Sequence, residues 1–133
     1  MSSEDVLLVR GLFEATNRRD FPAVMAKYAP DIELLVGSGY PTAGTYRGSE
    51  AVGRFFADWL RTFDAGFHFE LTEVADGPDA IAVVARHRAT GTRSGITLDA
   101  EMFYVYWIRD GLVVRVEMPN SRDAAMRTAG LPP

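Results

Sequence analysis

Apolar positions in the first stretch of the chain recur at helical spacing. Val6, Val9, Leu12 and Phe13, with Thr16, fall on one side of a helix that Ser3 is placed to cap. Glu4 and Asp5 sit in its first turn, where negative charge suits the helix dipole, and Asn17-Arg18-Arg19 closes it. Asp20 is placed to cap a second, shorter helix, with Phe21 and Pro22 in its first turn and Val24, Met25 and Tyr28 as its apolar side. Pro30 stops that helix. Ile32 to Val36 predicts a strand, broken by Gly37-Ser38-Gly39, and a loop follows through Tyr40, Pro41, Gly44 and Tyr46. Ser49 is placed to cap a third helix that Glu50 opens. Its Val52, Phe55, Phe56, Trp59, Leu60 and Phe63 form a wide aromatic stripe that must lie on a large apolar surface.

From Phe67 the period changes to two. Phe67, Phe69 and Leu71 alternate with His68, Glu70 and Thr72, and Asp76-Gly77-Pro78-Asp79 reads as a turn. Strands are predicted from Ala80 to Ala89, from Ile96 to Arg109 and from Leu112 to Met118. A polar connection over Thr90 to Gly95 joins the first two, and Asp110-Gly111 makes a type I′ hairpin between the last two. Ser121 or Asn120 caps a final helix through Ala129, and Gly130 takes its C′ position. Helices first and hairpins later predict an α+β domain spanning residues 1–133, a cone-shaped curved antiparallel sheet with helices packed on its concave side.

Alternation divides the long strand into two faces. Asp99, Glu101, Phe103, Val105 and Trp107 share one; Leu98, Ala100, Met102, Tyr104, Tyr106 and Ile108 share the other. Both are apolar, so each wants a cover. The outer one is covered either by the C-terminal tail or by a second copy, and a homodimer through the outer sheet face is the expectation, because broad apolar stripes are uncommon on monomers.

Composition narrows the classes. The 133 residues are 47% apolar and 24% charged, ordinary for one domain. A net charge of −4 suits nucleic acid poorly. Absence of Cys excludes disulfides and thiolate zinc sites, and two His without helpful carboxylate spacing give no metal motif. No phosphate loop or nucleotide fingerprint is present, so no cofactor is expected. No apolar run reaches the roughly 18 to 20 residues that span a bilayer. The polar, acidic start Met1-Ser2-Ser3-Glu4-Asp5 is unlike a secretory signal, which predicts a cytoplasmic address and no membrane contact.

Three segments carry a resemblance: Tyr28-Ala29-Pro30-Asp31, Gly44-Thr45-Tyr46-Arg47-Gly48-Ser49-Glu50-Ala51-Val52, and Trp107-Ile108-Arg109-Asp110-Gly111-Leu112-Val113-Val114-Arg115. Together they make the chain resemble, over nearly its whole length, the nuclear transport factor 2-like superfamily and within it the SnoaL-like small bacterial proteins. The resemblance implies a cone-shaped α+β barrel, usually dimeric, with an apolar cavity and no single activity. Alignment with the ketosteroid isomerases puts Leu12, Val36 and Phe103 at their three catalytic positions. Alignment with the limonene-type epoxide hydrolases offers Ile81, Val83, Ala85 and Met118. Neither set can move a proton. Counting back from Gly111 on the same alignment turns Phe103 inward, with Glu101, Val105 and Trp107 beside it.

The expected function is therefore binding of a small apolar or aromatic ligand by Leu12, Val36, Tyr40, Tyr46, Trp59, Val83, Phe103, Trp107 and Met118, with Tyr40 and Tyr46 as a roof. The alternative is a cofactor-free cyclase, isomerase or dehydratase using His87, which shares the inward parity of Ile81, Val83 and Ala85, with Glu101 or Asp99 as its partner. Simple core packing for Phe103, Val105 and Trp107, and a solvated rim pair for His87, are the plainer readings. Tyr104 and Tyr106 fall outside by this count, with Tyr106 opposite Arg115 and both in the dimer contact. A third reading makes that Met102-Tyr104-Tyr106 face a docking surface for another protein. Arg86, Arg88 and Glu117 are expected in outer charge pairs, and His68 at the surface.

Overall fold

In the computed structural model, which describes residues 3–63, 66–90, 95 and 97–133, the chain begins with helix α1 (Ser3–Asn17). Asp20 then caps helix α2 (Phe21–Met25): its carboxylate accepts the Ala23 N–H at 3.3 Å, and Pro22 sits in the first turn. Strand β1 (Tyr28–Val36) begins earlier than expected, because Tyr28 and Pro30 belong to it rather than to the end of α2. Pro30 is tolerated because the pairing of β1 with its neighbour is irregular between Tyr28 and Glu33, where the missing N–H breaks no ladder. Strand β2 (Gly44–Arg47) lies where a loop was expected. It is a short edge strand in which only Tyr46 is half-buried, too little alternation to register as a period of two.

Helix α3 (Ser49–Arg61) starts one residue earlier than a cap at Ser49 implies. Gly48, at φ 90°, is the N-cap residue and Ser49 is already helical. Strands β3 (His68–Asp76), β4 (Ile81–Thr90), β5 (Thr97–Arg109) and β6 (Leu112–Met118) follow, then helix α4 (Arg122–Thr128). Asp110 and Gly111, at φ 53° and 77°, form the predicted turn between β5 and β6. Ser121 caps α4 by accepting the Ala124 N–H at 3.1 Å, and Gly130 follows at φ 84°. The expected cap at the Ser3 side chain, the connection over 91–94 and the strand start at Ile96 lie outside the described residues.

The six strands form one sheet in the order β2-β1-β6-β5-β4-β3. It is mixed rather than purely antiparallel, since β1 runs parallel to β6. Bulges interrupt it at Thr72 and at Val114, each leaving one residue without a partner and adding local bend. The main core lies on one face, where Val9, Leu12 and Phe13 of α1 and Val52 and Leu60 of α3 pack on Ile32, Leu34, Val83, Tyr104 and Val116. A second core lies on the other face. There Ala125, Met126 and Ala129 cover Ala82, Val84 and Val105. The chain's own C-terminal end is thus the cover over β4 and β5.

The facing of β5 is the reverse of the expectation. Ile81, Val83, Ala85 and His87 stand opposite Tyr106, Tyr104, Met102 and Ala100, and residues directly opposite in an antiparallel pair share a face. Met102, Tyr104 and Tyr106 are therefore inside the main core, while Phe103 and Trp107 pack on the α4 side and Glu101 is exposed. The expected contact between copies through Tyr104 and Tyr106 fails for the same reason. Nor does Tyr106 face Arg115: the bulge at Val114 shifts the register by one and gives it Val116.

Met126 is 2% exposed and clamps α4 to the sheet. Replacing it with Ala should cost about 2–4 kcal/mol from lost burial and the cavity left behind, measured by urea unfolding.

Candidate functional site

Helices α1, α2 and α3 do not close completely on the inner face of the sheet. They leave a hollow of about 60 Å³, walled by Leu12, Phe13 and Thr16 of α1, Phe21 and Val24 of α2, and Phe56, Trp59 and Leu60 of α3. Its remaining walls are Tyr28 of β1, Phe69 of β3, and Tyr104 and Tyr106 of β5. A wider groove of about 280 Å³ shares Phe21, Val24, Tyr28 and Phe56 with it. Helix α2 stands between the two and has no fully buried residue, and Phe21 is 40% exposed. The hollow alone takes little more than water; a dry cavity that holds a benzene ring is nearer ~150 Å³. A larger guest must therefore use the groove as well or displace α2.

The framework around the hollow is aromatic. The ring of Phe13 meets Tyr104 at 5.3 Å, Phe69 at 5.7 Å and Tyr106 at 6.1 Å, all edge-on. Such contacts add about 0.5–1.5 kcal/mol each beyond burial and hold the walls in fixed rotamers. Burial pushes the phenols of Tyr28, Tyr104 and Tyr106 well above their ordinary range, so all three stay protonated at neutral pH.

His87 lies beside this framework, fully buried. Its ring stacks on Phe69 at 4.4 Å with an angle of 6°, and Trp59 and Phe63 close in at 4.8 and 5.3 Å. Neither ring nitrogen has a hydrogen-bond partner among the described residues. Burial pulls its pKa down to about 4, so the imidazole is neutral at pH 7.

The expected partners of His87 are elsewhere. Asp99 and Glu101 lie on the opposite side of β5, and His87 stands across from Ala100. Asp99 accepts two hydrogen bonds from Arg86, at 2.7 and 3.1 Å, which hold its carboxyl below the usual range. No acid–base pair joins His87 to either carboxylate.

Of the other candidates, Leu12 and Trp59 line the hollow. Val36, Val83 and Met118 are buried in the same core without bordering it. Tyr40 and Tyr46 do not roof it. The Tyr40 hydroxyl donates to the Pro119 carbonyl at 3.1 Å, and the Tyr46 hydroxyl donates to the Thr42 carbonyl at 2.7 Å. Phe103 and Trp107 lie across the sheet. The residues that sequence reasoning missed are chiefly Phe13, Phe56, Phe69, Tyr104 and Tyr106. The aromatic stripe of α3 and the alternation of β3 already pointed to Phe56 and Phe69.

The outer face outside the reach of α4 carries a row across four strands, Arg47, Glu33, Arg115 and Trp107, each opposite the next. Glu33 bonds Arg47 at 2.8 Å and Arg115 at 3.1 Å; Arg115 also reaches Glu117 at 2.9 Å and lies 5.4 Å from the centre of the Trp107 ring. Arg86 and Arg88 pair with Asp99 and Glu70, as outer charges were expected to. Among the described residues no cluster of three or more His, Asp or Glu is arranged to hold a metal ion, and no helix is long and apolar enough to cross a membrane.

A four-helix, six-strand α+β architecture with an aromatic hollow under its helices is the nuclear transport factor 2-like fold. Residues 9–116 match the SnoaL-like domain, and the chain belongs to that family. It is 29% identical over 112 residues to the uncharacterized protein Rv0034 of Mycobacterium tuberculosis, covering 84% of this chain and 85% of that protein. A nuclear transport factor 2-like protein of unknown function from Burkholderia pseudomallei superposes with a TM-score of 0.76 at 26% identity, covering 97% and 98% of the two chains. A protein from Catenulispora acidiphila with a ketosteroid isomerase-like fold, solved in complex with trimethylamine, superposes at 0.72 with 15% identity over 94% and 93%.

The burial of His87 sets a pH dependence. Its imidazole titrates near 6.5 when unfolded and at about 4 when folded, so between these values the unfolded chain takes up the proton and the native one does not. The stability this ring contributes is complete above pH 6.5 and falls as pH drops, by about 3 kcal/mol at pH 4. His87→Phe should remove that part of the acid loss, seen by comparing urea unfolding of both chains at pH 7 and pH 4.5.

Proposed function

We propose that this chain binds a small apolar or aromatic molecule between α1–α3 and the inner face of the sheet. The observation that carries this reading is the uncharged hollow, which borders a groove through the half-exposed Phe21 and Val24. Small-ligand binding has a precedent in this fold, in the protein solved with trimethylamine. The guest enters past α2, which has no fully buried residue to uncover on moving. Chemistry through His87 with Glu101 or Asp99 is not part of the proposal, since the sheet separates them. Ethylbenzene should bind saturably, shifting the NMR resonances of Leu12 and Trp59. Val24→Trp should abolish that binding while leaving the fold intact, because Val24 lies at the mouth. Failure of ethylbenzene to bind, or equal binding by Val24→Trp, would overturn the reading.

We also propose that two copies pair through the outer face left free by α4. Leu35, Val114 and Trp107 are half-buried there amid alternating charges, Arg47, Glu33 and Arg115, that a two-fold axis can set against one another. Sedimentation should give a dimer that Trp107→Glu splits into monomers. A monomeric native chain would end this proposal.

A further inference from the structure

A hydroxyl buried without a partner costs about 1–3 kcal/mol, so cores seldom keep one unless something else satisfies it. Tyr104 and Tyr106 are 2% and 7% exposed, and neither hydroxyl has a hydrogen-bond partner among the described residues. Tyr40 differs, because its hydroxyl is spent on Pro119. The side-chain polar atoms that are both sealed in and unpartnered, among the described residues, are the two nitrogens of His87. The Tyr104 and Tyr106 oxygens are therefore not sealed in. They touch empty space, and the space their side chains line is the hollow. Tyr28 lines it too, and burial keeps all three phenols neutral.

Three neutral phenols in one place have a common deficit. Each carries an O–H that wants an acceptor, and phenols that accept from one another in a chain still leave one donor unspent. No charged side chain lines the hollow. A carboxylate guest would lose its hydration without a cation to replace it, which disfavours anions. An alcohol would bring one more donor to a site already rich in donors. Thr16, the other hydroxyl on the wall, donates to the Leu12 carbonyl at 2.8 Å and can accept from one phenol, which still leaves the site with more donors than acceptors.

We propose that Tyr28, Tyr104 and Tyr106 form a donor cluster that recognises the oxygen of an uncharged carbonyl compound, while Phe56, Trp59 and Phe69 hold its flat body. This rests on the reading of the hollow as a ligand site and gives that ligand its polar end. The residues are not those that the family resemblance pointed to, since Leu12, Val36 and Phe103 are all apolar.

The test compares three probes of one size: acetophenone, ethylbenzene, which lacks the oxygen, and benzoate, which carries a charge. Acetophenone should bind the native chain about two- to tenfold tighter than ethylbenzene, the net worth of one hydrogen bond, and benzoate should bind weakest. The carbonyl stretch of bound acetophenone should move to lower wavenumber than in hexane. Tyr104→Phe with Tyr106→Phe should remove both the preference and the band shift, acetophenone then binding no tighter than ethylbenzene, with Tm unchanged or higher. The single variants, each losing part of both, serve if the double variant does not fold. Equal binding of acetophenone and ethylbenzene would overturn the donor cluster and leave the apolar hollow standing. So would a preference that survives both substitutions. Binding of no probe at all would overturn both.

Discussion

The register between β4 and β5 decides what this molecule can do. Ile81, Val83, Ala85 and His87 pair with Tyr106, Tyr104, Met102 and Ala100, and everything on that side of the sheet faces α1 and α3. A slip of one residue in β5 would exchange its faces, because side chains alternate with a period of two. It would send Asp99, Glu101 and Phe103 under the helices and expose three large side chains to the α4 side. The cost of burying those two carboxylates against Phe13 and Trp59 fixes the register as firmly as the apolar contacts do.

That constraint was present in the sequence, though not where apolar patterning looks for it. Both faces of β5 carry bulky apolar groups, so hydrophobicity gives no direction, and a count from the Gly111 hairpin on a family alignment gave the wrong one. The charges are better witnesses. Arg86 and Arg88 alternate on β4 as Asp99 and Glu101 alternate on β5, and opposite charges on neighbouring strands pair across one face. Matching them puts Phe103 with the arginines and Tyr104 with His87, as Arg86 bonding Asp99 at 2.7 Å bears out. The helices, the caps at Asp20 and Ser121 and the Asp110-Gly111 turn were legible because each depends on neighbours in sequence. Strand β2, the parallel pairing of β1 with β6 and the bulge at Val114 depend on distant partners, and no local pattern announces them.

The same local–distant divide explains why the hollow was anticipated as a class and missed in its lining. Leu12 and Trp59 could be placed because each lies on a helix stripe that must face the sheet. Tyr40 and Tyr46 could not, since a tyrosine in a loop or on a short edge strand reaches whatever carbonyl is nearest. Theirs are Pro119, distant in sequence, and Thr42, close by. The outer cover was also undecidable from pattern alone. The C-terminal helix protects Ala82, Val84 and Val105, but it is too short to reach the strands beyond β5, where Arg47, Glu33 and Arg115 take over with polar contacts.

Among the described residues, two kinds of unpartnered polar group remain on the inner side, and their difference bears on function. The His87 nitrogens are sealed among Phe63, Trp59 and Phe69, so the ring behaves as a flat, neutral, polarisable filler. For it to shuttle protons a carboxylate would have to cross the sheet, and no rotamer of Asp99 or Glu101 can pass through a continuous ladder of backbone bonds. The phenols of Tyr104 and Tyr106 are different. They border empty space, stay protonated because burial opposes the phenolate, and are braced by Phe13 from α1. The polar chemistry of the hollow therefore resides in fixed neutral donors, which can orient and polarise an oxygen but cannot take up a proton at neutral pH. On the proposed reading, such donors would select a guest by hydrogen-bonding pattern and shape.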